Sequence, residues 1–224
     1  AGAGTLTVVG DESLNEIQVT ADVYTDRNNP DNYILELTER NGTVYLVAKN
    51  RSTSGIWNGD SPKIDVRIRT PKHLGLEIDD GSGHMSVHNI SGDVRITDGS
   101  GSTDINEITG DLDVKDGSGS LTVSNITGNV SIDDGSGHLE MSDIKGSVKI
   151  DDGSGSIVAK RISGGADIED GSGDLTVRNV DGPVTIDDGS GSIDVENVGG
   201  LNIIDAGSGG LHVKGVEGNF EIDS

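Results

Sequence analysis

Asp80-Gly81-Ser82-Gly83-His84-Met85-Ser86-Val87-His88-Asn89-Ile90-Ser91-Gly92-Asp93-Val94-Arg95-Ile96-Thr97 is the first of a run of 18-residue units that follow one another to the C-terminus without insertion. The tetrad Asp-Gly-Ser-Gly returns at Asp98, Asp116, Asp134, Asp152, Asp170 and Asp188, and a variant begins at Ala206. A fixed period over this length means stacked repeats, and it overrides any segment-by-segment reading.

With Asp80 as position 1, positions 6 and 8 are mostly apolar (Met85 and Val87, Leu121 and Val123), and so are positions 15 and 17 (Val94 and Ile96, Val184 and Ile186). Each pair has the period of two that marks a strand with one buried face. Position 11 is always β-branched, from Ile90 to Val216, and position 13 is always Gly, from Gly92 to Gly218. One coil therefore reads as strand, corner, strand, turn, and identical units stack best by winding. The expected fold is all-β: a single-stranded parallel β-helix, or β-solenoid, with two short strands per coil. Eight coils at a spacing of ~4.8 Å make a rod of roughly 38 Å. Left-handed hexapeptide helices want an apolar residue every six positions; position 5 (His84, Ser102, Ser120) breaks that rule, so a right-handed winding is expected.

Before this run the repeat blurs. Residues 76–224 form the regular solenoid, and 1–75 read as an irregular portion of the same rod and its cap. Gly2-Ala3-Gly4-Thr5-Leu6-Thr7-Val8 fits positions 2 to 8 of the unit, and strands are expected around Glu16–Val19, Tyr33–Leu37, Val44–Val47 and Ile64–Ile68. At the other end Ile222 sits at position 17, and the exposed edge of the last coil invites pairing with a second copy.

Only 31% of residues are hydrophobic and 2% aromatic, too little for an ordinary globular core of 224 residues but enough for a column one coil wide. A formal net charge of −23 repels nucleic acid and anionic membrane surfaces and attracts cations and basic partners. No stretch approaches the ~20 apolar residues of a membrane span. Cysteine is absent, which excludes disulfides and thiolate metal sites. The chain opens on Ala1 rather than Met, as a processed protein or a trimmed chain would, and removal of a signal peptide is the expectation.

The alternation of Gly-Ser-Gly turns, Ser82–Gly83 and its equivalents, with short Val/Ile strands resembles a family of bacterial adhesin-like proteins catalogued as a domain of unknown function. The lead-in Val66-Arg67-Ile68-Arg69-Thr70-Pro71-Lys72-His73-Leu74 looks like the strand and turn that precede the repeats there. The resemblance covers essentially the whole chain. It implies a secreted or surface-exposed β-solenoid and brings no catalytic residues with it.

Stacking converts each position into a column. Asp80, Asp98, Asp116, Asp134, Asp152, Asp170 and Asp188 form one in which neighbours repel by roughly 0.9 kcal/mol in water and about 3.5 at an effective dielectric of 20. Two readings offset this: each Asp accepts hydrogen bonds from its own turn, or the column holds Ca²⁺, the one cofactor the sequence suggests. The calcium β-roll motif Gly-Gly-x-Gly-x-Asp is not reproduced, because Leu121 and Leu139 stand where its Asp would be. Asp80, Ser82 and His84 are triad residue types, but eight repeated serines argue for a ladder rather than a nucleophile. Trp57, the sole Trp, lies in a Gly/Ser/Asn loop and is the candidate ligand-binding residue, aromatic rings stacking well on sugars and peptides.

These features point to a non-enzymatic secreted or cell-surface scaffold, adhesin-like, that presents a regular acidic surface to a glycan or protein ligand. The alternatives are a carbohydrate-active β-helix enzyme (polysaccharide lyase or hydrolase) and a calcium-binding surface module. An enzyme of that kind needs a localised break in the repeats, such as a carboxylate pair or a basic groove, and the units show none. Ice binding would want Thr columns, whereas Thr103 sits at an inward position.

Overall fold

The computed structural model describes residues 4–25, 31–51 and 63–223. It opens with β1 (Gly4–Asp11), β2 (Gln18–Tyr24), β3 (Tyr33–Arg40), β4 (Thr43–Asn50), β5 (Lys63–Pro71) and β6 (Leu76–Asp80). Two-strand coils follow: β7 (Gly83–Ile90) and β8 (Val94–Asp98), β9 (Gly101–Ile108) and β10 (Leu112–Asp116), β11 (Gly119–Ile126) and β12 (Val130–Asp134), β13 (Gly137–Ile144) and β14 (Val148–Asp152), β15 (Gly155–Ile162) and β16 (Ala166–Asp170). The last coils are β17 (Gly173–Asp188), β18 (Ile193–Asp205), and β19 (Leu211–Val216) with β20 (Phe220–Ile222).

Every repeat strand pairs in parallel with its copy one coil away, as in Leu121↔Leu139 and Ile132↔Ile150. The protein is a parallel β-solenoid of about 8 turns with about 18 residues per coil. The predicted inward positions form the core: Leu121, Val123, Ile126, Val130 and Ile132 are all at most 2% exposed. Position 11 closes each corner behind a residue in the left-handed region at position 10, such as Asn125 at φ 56° and Arg161 at φ 55°. Asn and Asp tolerate that conformation best, which explains their frequency there.

The glycines answer to close stacking. A Cβ on Gly110 would lie 2.6 Å from the backbone of Gly92, so position 13 is small because successive corners touch. The second turn Gly is both left-handed and crowded: Gly137 has φ 145°, and its Cβ would lie 1.9 Å from the carbonyl oxygen of Gly119.

The 18-residue register slips by one residue between β17 and β18 and slips back between β18 and β20, where Leu201 pairs with Phe220 and Ile203 with Ile222. Val184 pairs with Leu201 and Ile186 with Ile203, one residue short of a full coil, before Asp187↔Asp205 restores it. Leu201 and Ile203 thereby fill the inward slots, and Ile204 is pushed out as a bulge, 48% exposed. The shift also moves the corner: a Cβ on Gly199, not Gly200, would meet the preceding coil, 2.1 Å from Asp181 O.

The N-terminal portion is non-local. Strand β1 takes the register expected of it, Leu6↔Met85 and Val8↔Val87, but lies between β7 and β5. Strand β2 then pairs antiparallel on the far side of β5. The first stack thus runs β2–β5–β1–β7 and onward, whereas the second begins at β6, paired with β8. Strands β3 and β4 form a separate antiparallel hairpin. At the opposite end β19 and β20 each have, among the described residues, one neighbour, β18, and leave Leu211, Phe220 and Ile222 at least 41% exposed.

Candidate functional site

The Asp of each turn is the third inward residue of the second strand. In Val130-Ser131-Ile132-Asp133-Asp134 the burial alternates through to Asp134, which is 2% exposed, and Asp188 is fully buried. From Asp98 to Asp188 one carboxylate oxygen caps the turn, accepting the Ser N–H two residues on (3.1 Å in Asp134–Ser136, 3.0 Å in Asp188–Ser190), whereas Asp80 accepts the N–H of Gly81 at 2.9 Å. The turn-capping reading of this column is what the geometry shows.

The second oxygen differs between coils. Thr103 donates its hydroxyl to Asp98 Oδ2 at 2.9 Å. The residues equivalent to Thr103 in later coils are Leu139, Ile157, Leu175 and Ile193, and there Oδ2 of Asp134, Asp152, Asp170 and Asp188 is buried without a hydrogen-bond partner. Burial first, and the neighbouring carboxylates next, push Asp116 up to about 6, with Asp134 and Asp98 on either side of it. Burial likewise raises Asp152 and Asp170 to about 6, each with the next Asp of the column adding to it. Asp134 and Asp188 shift in the same direction, again chiefly through burial. From Asp116 to Asp188 the column is a row of acids that hold protons more tightly than the free side chain does. Thr103→Val is expected to strand Asp98 Oδ2 and cost about 1–3 kcal/mol at pH 7.5, measurable by urea unfolding; an unchanged midpoint would show that the hydroxyl contributes nothing.

As to Ca²⁺, each of these later coils offers one orphaned oxygen at this depth, whereas the ion seeks six to eight. Among the described residues no three His, Cys, Asp or Glu side chains converge on a point. A proton satisfies the same oxygen alone.

Outward columns carry ladders between coils. Arg95–Asp113, Arg161–Asp143 and Lys214–Glu196 pair at 3.1, 2.7 and 2.7 Å, each across one coil. The Arg161 hydrogen bonds hold Asp143 below the usual carboxylate range, and Lys214 does the same for Glu196. His84 and His138 bond Ser102 and Ser156 of the next coil at 2.8 and 2.7 Å. The triad residue types are thus divided: the Asp points inward, and the His pairs with a Ser at its own position.

A large cavity lies at the N-terminal end, with a volume of 1510 Å³. Its walls are the inner face of β1, β2 and β5 (Val19, Val66, Ile68), strand β6 and the hairpin (Leu37, Val44, Leu46). It continues past the starts of β8, β10, β12 and β14. Sequence reasoning missed this cleft, because it depends on β5 and β2 stacking beyond the last strand of the second sheet. Trp57 lies outside the described residues.

No match is found among curated proteins. A family model described as Toastrack DUF4097 matches residues 5–223, which span the N-terminal strands and every coil. The chain belongs to the Toastrack DUF4097 family, a β-solenoid domain of unknown function.

Proposed function

We propose that this chain is a non-enzymatic scaffold of the cell exterior, adhesin-like in use, that presents a regular acidic surface to a glycan or protein partner. The observation that carries this reading is the outer surface itself. Ion pairs between neighbouring coils are spread along it, Arg95–Asp113, Arg161–Asp143 and Lys214–Glu196 each at a different position of the repeat, and the described acidic and His side chains are distributed along the rod instead of converging on one centre. The net charge of −23 favours basic or cation-bridged partners. Placement outside the cytoplasm, after signal-peptide removal, rests on the resemblance of the Gly-Ser-Gly repeats to adhesin-like proteins.

Adhesion and turnover are measured together. Beads coated with the protein are expected to be retained on immobilised glycans or basic protein, to release with added salt, and to yield no products from acidic polysaccharides. Release of polysaccharide fragments would overturn the proposal in favour of a carbohydrate-active enzyme. Retention seen only with Ca²⁺ would replace it with the calcium-dependent module.

A second copy is the other partner proposed. Two-fold pairing of β19 and β20 with their counterparts would place Leu211, Phe220 and Ile222 against the same residues of the partner, a self-complementary contact. Sedimentation is expected to show a concentration-dependent dimer that Phe220→Glu abolishes; a monomer at every concentration would refute it.

A further inference from the structure

The two stacks end unevenly at the N-terminal side. The first continues past β1 to β5 and β2, and the second stops at β6, so among the described residues the inner face of β5 and β2 has no strand of the second stack opposite it. Leu76 and Ile78 of β6, together with Leu6 and Ile68, are only partly buried there. Among the described residues no strand lies beside the outer edge of β6 at Glu77 and Asp79. Leu76 donates its N–H toward β8, to Asp93 O at 2.9 Å, and alternation along the strand turns the N–H groups of Glu77 and Asp79 to the free edge. Across the cleft the hairpin offers an apolar face: Leu35, Leu37 and Val44 oppose Ala48, Leu46 and Glu39. Leu37 is 54% exposed.

We infer that this cleft binds an extended polypeptide segment, apolar at alternate positions and basic between them, which adds as a strand to the free edge of β6. Size favours a chain segment: the volume of 1510 Å³ exceeds the roughly 300–1,000 Å³ of small-molecule pockets. Edge addition explains the geometry, since main-chain bonds would go to Glu77 and Asp79 and alternate side chains to Ile68, Ile78 and Leu37. Charge selects the basic partner. The lining carries Glu77, Asp79, Asp93, Asp111 and Asp113 against Arg95 and Lys149, and Arg95 is already paired with Asp113. This inference concerns the N-terminal cleft and stands apart from the coil surface of the preceding section.

The test uses the full chain and a labelled ten-residue peptide of alternating Lys and Ile, read by fluorescence anisotropy and amide hydrogen exchange. Saturable binding is expected, with slowed exchange at Glu77 and Asp79. Glu77→Pro removes an outward N–H while leaving the bond from Leu76 to Asp93, and edge strands tolerate Pro there. It and Leu37→Asp are each expected to weaken binding at least tenfold. An alternating Lys/Ser peptide controls for net charge and a Glu/Ile peptide for apolar contact; both are expected to bind at least tenfold more weakly. Equal binding of either control, protection located elsewhere, or indifference to both substitutions would overturn the inference. So would tight occupancy of the cleft by a fluorescent fatty-acid probe that the Lys/Ile peptide does not displace, which would make the occupant an acyl chain. Failure here leaves the adhesion assay unaffected, and the reverse holds too.

Discussion

Gly173→Ala is expected to lower the melting temperature by more than about 10 °C. The residue has φ 147°, and an added Cβ would lie 1.4 Å from the carbonyl oxygen of Gly155. The neighbouring coil cannot withdraw to make room, because Gly155 N is itself bonded to Ser172 O and Gly173 N to Ser190 O, both at 2.8 Å. The substitution thus combines a conformation costly for an L side chain with an overlap against backbone, a pairing that exceeds about 4 kcal/mol. For a chain of this size each kcal/mol moves the midpoint by about 2–4 °C. Gly210→Ala is the matched control: a Cβ there meets nothing within 4 Å, and its melt should coincide with that of the unaltered protein. Coincident melts for both variants would mean that the coils are not stacked this closely.

Acidification from pH 7.5 to 5 should stabilise the protein, by on the order of 10 °C in melting temperature. The folded state raises Asp116, Asp152 and Asp170 from 3.8 to about 6, so it binds protons that the unfolded chain has released. Their favourable contribution is complete below pH 4 and is lost as pH climbs through 6. Above that range each such carboxylate costs about 3 kcal/mol relative to its protonated form, though neighbours in one column do not add independently. Asp143 and Glu196 act in the opposite sense: their ion pairs stabilise above the ordinary carboxylate value and fail as pH falls below it. Stability should therefore peak near pH 4–5. Replacing Asp116, Asp152 and Asp170 by Asn keeps an oxygen for the Ser N–H and gives the orphaned oxygens of their neighbours a donor. The triple variant is expected to melt higher than the native chain at pH 7.5 and to show a flatter pH profile. A melting temperature that only falls on acidification would contradict the proton-holding column.

The period of 18 and the alternation at positions 6, 8, 15 and 17 were enough to place the strands, the stacking and most of the core. These signals are local and repeated, so one coil read correctly is nearly all coils read correctly. Strand β1 was legible for the same reason, since Gly4-Thr5-Leu6-Thr7-Val8 carries the unit's own pattern. The inward aim of the Asp column was within reach but not drawn: continuing the alternation of positions 15 and 17 by one step arrives at the next Asp. The shift at Leu201 showed in the sequence as a reversed in/out order; its resolution, the bulge at Ile204, depends on pairing with Val184 and Ile186. The insertion of β1 between β5 and β7 joins segments more than fifty residues apart, which no periodicity encodes. The cleft follows from that arrangement and was hidden with it.

The Asp of each repeat turn belongs to the core, from Asp116 to Asp188 it holds a proton as well as its turn, and the functions proposed above lie instead on the outer surface and in the N-terminal cleft. Carboxyl-carbon NMR of selectively labelled Asp tests this most directly, with the pH titrated once in chelator and once in millimolar Ca²⁺. The account predicts that Asp116, Asp152 and Asp170 titrate near pH 6 and that Ca²⁺ leaves their resonances in place. Titration of all three near pH 4, or resonances that move on adding Ca²⁺, would contradict it and make the column a surface for ions.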